Sequence, residues 1–252
     1  MCFFKLLIGL LATCAVVSAQ NNTTICDTNS VSALLSCYNT YLNGYNMSLI
    51  SNALPDYWDF HTIRMNWLEQ NGIHVQPNIC IMFRNLQKCV QPYSCLNGAG
   101  AYTQMGAYNS TEAFDWWLDF VVSQFQCNAG YNALMQEFYC ISFCADYHEA
   151  ALDACSDQMN QQIANGTDVC VATQGFLDCH RNIITGCCDN LAGAYDCNLQ
   201  VAALNATVNT CINMGKLTCP SMAVKLPNKQ PNFDAITKIR ENLALRAEHI
   251  HS

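Results

Sequence analysis

Charged side chains are scarce in this 252-residue chain: 12% of its residues are Asp, Glu, Lys or Arg, whereas 51% are hydrophobic. The charge that is present has mostly one sign, with sixteen acidic residues against five basic ones between residues 20 and 219 and a formal net charge of -8 overall. An acidic surface repels phosphate backbones and anionic headgroups. We therefore expect neither nucleic acid nor an anionic membrane as a partner.

The motifs of common hydrolases are also missing. The chain contains no Gly-x-Ser-x-Gly nucleophile elbow and no glycine-rich phosphate loop. The Cys187-Cys188 pair invites comparison with secreted phospholipases A2, in which a catalytic His-Asp follows such a pair by three residues. Leu191 stands near that position here, and leucine cannot accept a proton from water. We expect no catalytic residues, and a secreted hydrolase is the least favoured class of function.

Signals for metal binding are equally few. No Cys-x-x-Cys occurs, and two of the six histidines lie within the last four residues, whereas zinc sites usually show short paired spacings. His148 and Glu149 are neighbours on a predicted helix and point to different faces, so His148 is interpreted as a surface histidine. The acidic stripe that follows is interpreted as a solvated helix face and contains Asp146, Glu149, Asp153 and Asp157. We expect no metal and no cofactor.

One long apolar run is present, from Leu6 to Val17, and it is preceded by Lys5. It ends in the small-residue pattern Val17-Ser18-Ala19, which is typical of a secretory signal cleaved after Ala19. A membrane anchor is the alternative, but the run is shorter than the roughly 20 residues that span a bilayer. We predict a signal peptide at residues 1–19 and no membrane span in the mature, secreted protein.

Cysteine is the abundant residue, with eighteen in the chain. Cleavage would remove Cys2 and Cys14 and leave an even number, which favours disulfides in an oxidising, extracellular compartment. We expect all sixteen to be bridged, without a free thiol: Cys26, Cys37, Cys80, Cys89, Cys95, Cys127, Cys140, Cys144, Cys155, Cys170, Cys179, Cys187, Cys188, Cys197, Cys211 and Cys219. Cys140 and Cys144 are four apart on one helix face and should reach different partners.

Six Asn-x-Ser/Thr sequons support the same compartment. They predict N-glycosylation at Asn21, Asn22, Asn46, Asn109, Asn165 and Asn205.

Apolar residues recur at helical spacing along most of the chain, and period-two alternation is rare. Predicted stripes include Phe114, Trp117, Leu118, Val121 and Phe125, and Asn109 is placed to cap the helix that carries them. The pattern predicts an all-α, disulfide-stapled helical bundle over residues 20–219.

Cysteine spacing suggests an internal duplication, with repeats at 26–139 and 140–219. The two matched spacings occur in the same order in each half: Cys26-x10-Cys37 and Cys80-x8-Cys89, then Cys144-x10-Cys155 and Cys170-x8-Cys179. Coincidence is the alternative, because many cysteines offer many spacings. If the duplication is real, Cys37 and Cys155 should take equivalent partners, as should Cys89 and Cys179.

The cysteine rhythm from Cys26 to Cys219, with segments such as Cys80–Cys95 and Phe114–Cys127, resembles the secreted cysteine-rich helical domains abundant in nematodes. The family includes the chondroitin-proteoglycan-type domain and its uncharacterised relatives. Attachment of a glycosaminoglycan needs Ser-Gly, which this chain lacks, so the resemblance does not imply a proteoglycan. It implies no activity either.

Residues 220–252 differ from the body because they contain three prolines, no cysteine and a small excess of basic residues. Asn232 could cap an amphipathic helix that carries Phe233, Ile236, Ile239 and Leu243. A frayed terminus is favoured over a partner-binding helix.

These features predict a secreted, N-glycosylated extracellular binding or structural protein without catalytic activity, whose partner is an extracellular protein. The alternative is an extracellular carrier of an apolar small molecule or lipid, suggested by the many aromatic and Met side chains. Apolar stripes are more often ordinary core than a ligand pocket, which favours the first interpretation.

Overall fold

The computed structural model describes residues 25–204 and 209–222. It confirms the all-α class, since the only β pairing in these residues is an isolated bridge between Ile50 and Ala53. A 3-10 turn is present at Gly72–Val75. The helices are α1 (Thr28–Asn43), α2 (Tyr57–Asn71), α3 (Gln76–Val90), α4 (Ala99–Gln104), α5 (Ser110–Cys127), α6 (Tyr131–Tyr147), α7 (Glu149–Ala164), α8 (Val169–Cys187), α9 (Asn190–Leu204) and α10 (Asn209–Asn213).

Several predictions fall outside the described residues. These are the signal peptide at 1–19, the sequons at Asn21, Asn22 and Asn205, and the tail from residue 223 onward.

Side-chain caps begin the helices where the sequence changes from polar to apolar. Asn109 accepts a hydrogen bond from the Glu112 backbone N–H at 2.9 Å, so its predicted capping role is confirmed. Asp27 caps α1 in the same way, and Asp56 and Asp168 each accept two backbone N–H groups at the starts of α2 and α8. Each cap contributes about 1 kcal/mol, because it satisfies amides that have no partner within the helix.

Seven disulfides cross-link the helices, with Cα–Cα separations between 5.1 and 5.9 Å. The bridged cysteines are 22 to 69 residues apart in the chain, and a disulfide that closes a loop of such length contributes roughly 2–4 kcal/mol by restricting the unfolded chain. The pairs are Cys26–Cys95, Cys37–Cys89, Cys80–Cys127, Cys140–Cys188, Cys155–Cys179, Cys170–Cys211 and Cys197–Cys219.

The prediction that no thiol is free is wrong for two positions in this structure. Cys144 and Cys187 are not bonded, although their side chains lie close together. Spacing along the chain could not show this, because the geometry of the pair depends on how α6 meets the end of α8. Cys140 and Cys144 reach different partners, as expected: Cys140 is bonded to Cys188, and Cys144 faces Cys187.

The bridges of the two halves correspond in order along the chain. Cys37 is bonded to Cys89 and Cys155 to Cys179, which is the equivalence that the spacings predicted. Cys80–Cys127 corresponds to Cys170–Cys211 in the same sense. The unbonded Cys144 and Cys187 then occupy the places that the bonded Cys26 and Cys95 hold in the first half. The connectivities agree with a duplication, which itself stays a prediction.

One hydrophobic core runs through both halves. The rings of Phe125 on α5 and Tyr195 on α9 join them, with centroids 5.6 Å apart. Aromatic side chains fill the first half, where Trp116 stacks on Phe60 at 5.0 Å and meets Tyr38 and Tyr57 edge-on. Proposed repeats 26–139 and 140–219 therefore share a single core.

The stripe predicted for α5 is only partly buried. Leu118 is buried, but Phe114, Trp117, Val121 and Phe125 lie at the edge of the core. The more deeply buried face of α5 mixes apolar and polar residues, so hydrophobic spacing alone does not identify it. Its residues are Ala113, Asp115, Trp116, Asp119, Val122 and Ser123. Among the residues that the structure describes, no helix has the length and apolarity needed to cross a bilayer.

Candidate functional site

Cys144, His148 and Cys187 form a group that we call the thiol–imidazole cluster. Their two Sγ atoms and one imidazole nitrogen all lie within 4.8 Å of one another. Cys144 is buried, whereas His148 and Cys187 are half-buried, so one side of the cluster is accessible to solvent. Two thiols and an imidazole are the side chains that zinc and other thiophilic ions prefer.

Secondary structure and one disulfide bring the three residues together. Cys144 is in the last turn of α6, and His148 follows one turn later at the junction with α7, where its backbone N–H donates to the Cys144 carbonyl at 2.9 Å. Cys187 is the last residue of α8. The neighbouring bridge Cys140–Cys188 ties the same two elements together, so Cys187 is held against the face of α6 that carries Cys144.

The surroundings of the cluster are negatively charged. Burial raises the pKa of the Cys144 thiol, and the nearby Cys187 and the carboxylate of Asp196 raise it further. Oδ2 of Asp196 is buried and makes no hydrogen bond. The Nδ1 atom of the fully buried His180 lies 3.6 Å from that oxygen, outside hydrogen-bond distance. A cation at the cluster would interact favourably with this field.

Sequence reasoning missed this cluster because it searched for Cys-x-x-Cys. A usable signal was present: Cys144 and His148 are four residues apart, a spacing that places two side chains on one face of a helix. His148 does lie at the surface, as interpreted from the sequence, but it lies beside two cysteines. Its ring is half-buried and meets the Tyr147 ring edge-on, with centroids 4.9 Å apart.

The other predicted site residues are distributed over the surface. Asn46, Asn109 and Asn165 are exposed and lie at helix ends or in turns. The cap made by Asn109 uses its side-chain oxygen, which leaves the amide nitrogen free for a glycan. The acidic stripe is exposed as predicted, at Asp146, Glu149, Asp153 and Asp157.

A second polar cluster is buried in the first half of the chain, where it stabilises the fold. Arg64 of α2 forms a buried ion pair with Asp119 of α5, donating through both terminal nitrogens, one of them at 3.1 Å. The Tyr57 hydroxyl donates to the same carboxylate at 3.4 Å, and the guanidinium lies 5.1 Å from the centre of the Phe60 ring. This network is sealed by aromatic rings, so a substrate could not reach it.

A surface cleft of about 530 Å³ lies between α5 and α9, with Phe125, Val121 and Ala202 on its walls. Three amide side chains share the lining: Gln87, Gln124 and Asn128. The cleft is open to solvent, whereas sites for apolar ligands enclose most of the ligand surface. Its shape therefore gives little support to a lipid-carrier function.

In comparisons with protein-family models, with curated proteins and with solved structures, no match to this chain was found. Its function therefore has to be argued from its own residues.

Proposed function

We propose that this chain is a secreted, N-glycosylated binding or structural protein of the extracellular space, without catalytic activity. The seven disulfides carry the proposal, because such a network persists in an oxidising compartment and makes a small helical body resistant to unfolding. The signal-like N-terminus and the cysteine rhythm, which resembles that of nematode secreted domains, support it. The missing hydrolase motifs support the non-catalytic part.

Partner binding is placed on the outer face of α6. Phe143 and Tyr147 are exposed there and stack on each other with centroids 5.8 Å apart. Asp146 and Glu149 flank this aromatic pair, so the surface combines apolar contact area with negative charge. Exposed aromatic residues are enriched at protein interfaces, and acidic neighbours favour a basic partner.

Binding can be tested with protein secreted from a eukaryotic host and cross-linked to extracellular material. We expect Phe143→Ser combined with Tyr147→Ser to remove the cross-linked partner while the melting temperature is retained. Tyr108→Ser is the matched control, since Tyr108 is 90% exposed but lies before α5. Equal capture by both variants would contradict the assignment of this face.

The carrier alternative has a separate test. Organic extraction of the purified protein followed by mass spectrometry should find no apolar molecule in stoichiometric amount. One lipid recovered per chain would replace the proposed function by that of a carrier. If the chain stayed unglycosylated inside the host cell, both the binding function and the carrier function would be contradicted, because both require secretion.

A further inference from the structure

We propose that Cys144, His148 and Cys187 bind one Zn²⁺ ion. The fourth coordination position is open on the half-buried side of the cluster. The site adjoins the proposed partner surface, because the Tyr147 ring contacts the His148 ring, but it requires no partner there and goes beyond the proposed function.

The distances fit the ion. Zinc–sulfur bonds of about 2.3 Å and a zinc–nitrogen bond of about 2.0 Å in tetrahedral geometry place the ligand atoms roughly 3.5–3.8 Å apart. The three ligand atoms already lie within 4.8 Å of one another, so small side-chain rotations complete the site. Cys144 in the last turn of α6 and His148 just after it supply two of the ligands from one end of α6, where the His148 backbone N–H donates to the Cys144 carbonyl.

Charge favours a divalent cation over an empty pair of thiols. The carboxylate of Asp196 acts on Cys144, and its Oδ2 atom is buried without a hydrogen bond. Zn²⁺ with two thiolates and a neutral imidazole has no net charge, so the bound ion lets both thiols ionise without adding uncompensated negative charge beside Asp196. Binding forms three metal–ligand bonds and releases two protons from Cys144 and Cys187 to solvent, with no change of oxidation state.

Comparison of the two halves gives an independent argument. The equivalent cysteines of the first half, Cys26 and Cys95, are joined by a disulfide. Four residues after Cys26 the chain has Ser30, whereas four residues after Cys144 it has His148. A histidine therefore stands at the one position of the pattern where the bridge is absent. A disulfide needs no imidazole beside it, but a three-ligand zinc site does.

An open position usually marks catalytic zinc, which activates a bound water. Here two thiolates neutralise the ion, which weakens that activation relative to a site of neutral histidines. The proposal covers binding of the ion alone, with water or a donor atom from another molecule completing the coordination.

The test uses the full secreted protein with its seven disulfides intact, dialysed against a chelator and then titrated with Zn²⁺ or Co²⁺. We expect one ion per chain by native mass spectrometry, and with Co²⁺ the intense near-ultraviolet band of sulfur-to-metal charge transfer. Thiol labelling under denaturing, metal-free conditions should modify Cys144 and Cys187 alone. Saturating Zn²⁺ should protect both from labelling in the native protein.

Variants separate ligation from folding. His148→Ala keeps both thiols, and we expect it to lower Zn²⁺ affinity by about 100-fold or more, since even residues that only orient metal ligands are worth about 10–100-fold. Cys144→Ser and Cys187→Ser should abolish the cobalt charge-transfer band or reduce it by about half. His74→Ala is the control, because His74 is an exposed histidine on the 3-10 turn and is not among the three proposed ligands.

Two results would overturn the proposal. A peptide in which Cys144 is disulfide-bonded to Cys187 in the secreted protein would mean that the pair is a closed bridge, which cannot ligate zinc. Free thiols at both positions with no Zn²⁺ bound, or with equal binding by His148→Ala and His74→Ala, would exclude the site as well.

Discussion

At the scale of single residues, buried carboxyl groups differ according to the charges around them. Asp119 faces Arg64 and is held as an ion pair. Burial raises the pKa of Asp115, one turn earlier on α5, to about 6, with Glu112 and Asp56 adding repulsion. Burial likewise raises the pKa of Glu137 on α6 to about 7, and Asp189 contributes. Two acidic residues are therefore neutral in the folded protein at mildly acidic pH.

Glu137 predicts a specific pH dependence of stability. Its pKa is raised in the folded protein, which means that folding favours the protonated side chain. The contribution of Glu137 to the free energy of unfolding is therefore complete below its unfolded pKa near 4.5, and it is lost as the pH rises through about 7. We expect Glu137→Gln to raise the free energy of unfolding by about 1 kcal/mol at pH 8, after allowance for solvent screening, and to change little at pH 4.

Thermal melts of both proteins from pH 4 to pH 8 measure this difference. Asp153→Asn is the control, because Asp153 is exposed on α7. Parallel melting profiles for wild type and Glu137→Gln across the range would contradict the assignment.

The ion pair of α2 and α5 gives a second prediction at this scale. Asp119→Asn leaves the buried Arg64 guanidinium without its counter-charge, and we expect a loss of about 3–5 kcal/mol in the free energy of unfolding. Asp115→Asn is the matched control on the same helix, and it should be neutral or stabilising at pH 7. Urea unfolding of the two variants measures the contrast, and equal losses would mean that general burial, and not the ion pair, governs both sites.

At the scale of helices, the disulfides join elements that are far apart in the chain. Cys37–Cys89 links α1 to α3 and closes a separation of 52 residues, whereas Cys155–Cys179 links α7 to α8 and closes 24. The two bridges hold equivalent places in the order of cysteines, yet they restrict the unfolded chain to different extents.

Loop entropy therefore predicts unequal losses when the bridges are removed. Replacing Cys37 and Cys89 by Ala should cost about 0.7 kcal/mol more than replacing Cys155 and Cys179 by Ala, within an overall loss of roughly 2–4 kcal/mol for each pair. Chemical unfolding under non-reducing conditions gives both values. A larger loss for the second pair would show that native packing around the bridge outweighs loop length.

At the scale of the whole molecule, the two halves share a core, and the segment after α10 is fastened to it. Cys219 is bonded to Cys197, and the Thr218 backbone both donates to and accepts from Gln174, at 2.8 and 3.1 Å. The Asn198 side chain donates to the Pro220 carbonyl at 3.0 Å. The body therefore extends at least to Pro220.

Truncation after Cys219 tests the division between body and tail. We expect the truncated protein to fold with its disulfides and to lose about 1–2 kcal/mol, the cost of the exposed hydrogen bond from Asn198 and of the partly buried Met222 side chain. Differential scanning calorimetry of the two lengths provides the comparison. A fall of many degrees in the melting temperature would mean that residues 220–252 pack on the core, which the sequence does not predict.

Patterns within single segments of the sequence were enough to predict the helical class, the cap at Asn109 and the equivalence of Cys37–Cys89 with Cys155–Cys179. Local rules govern these features: apolar residues recur every three or four positions, a side-chain oxygen satisfies free amides, and cysteine spacing is conserved between the halves of one chain. None of them needs knowledge of which helices meet.

The buried polar face of α5 and the thiol–imidazole cluster become visible only in the folded molecule. Asp119 is buried because Arg64 arrives from another helix, so a hydrophobic pattern on α5 alone assigns its face incorrectly. Cys144, His148 and Cys187 meet because α6 and the end of α8 are held together by Cys140–Cys188. An ion pair or a group of metal ligands forms when side chains from distant segments of the chain come close together in space. Residue spacing within one segment contains no information about those distances.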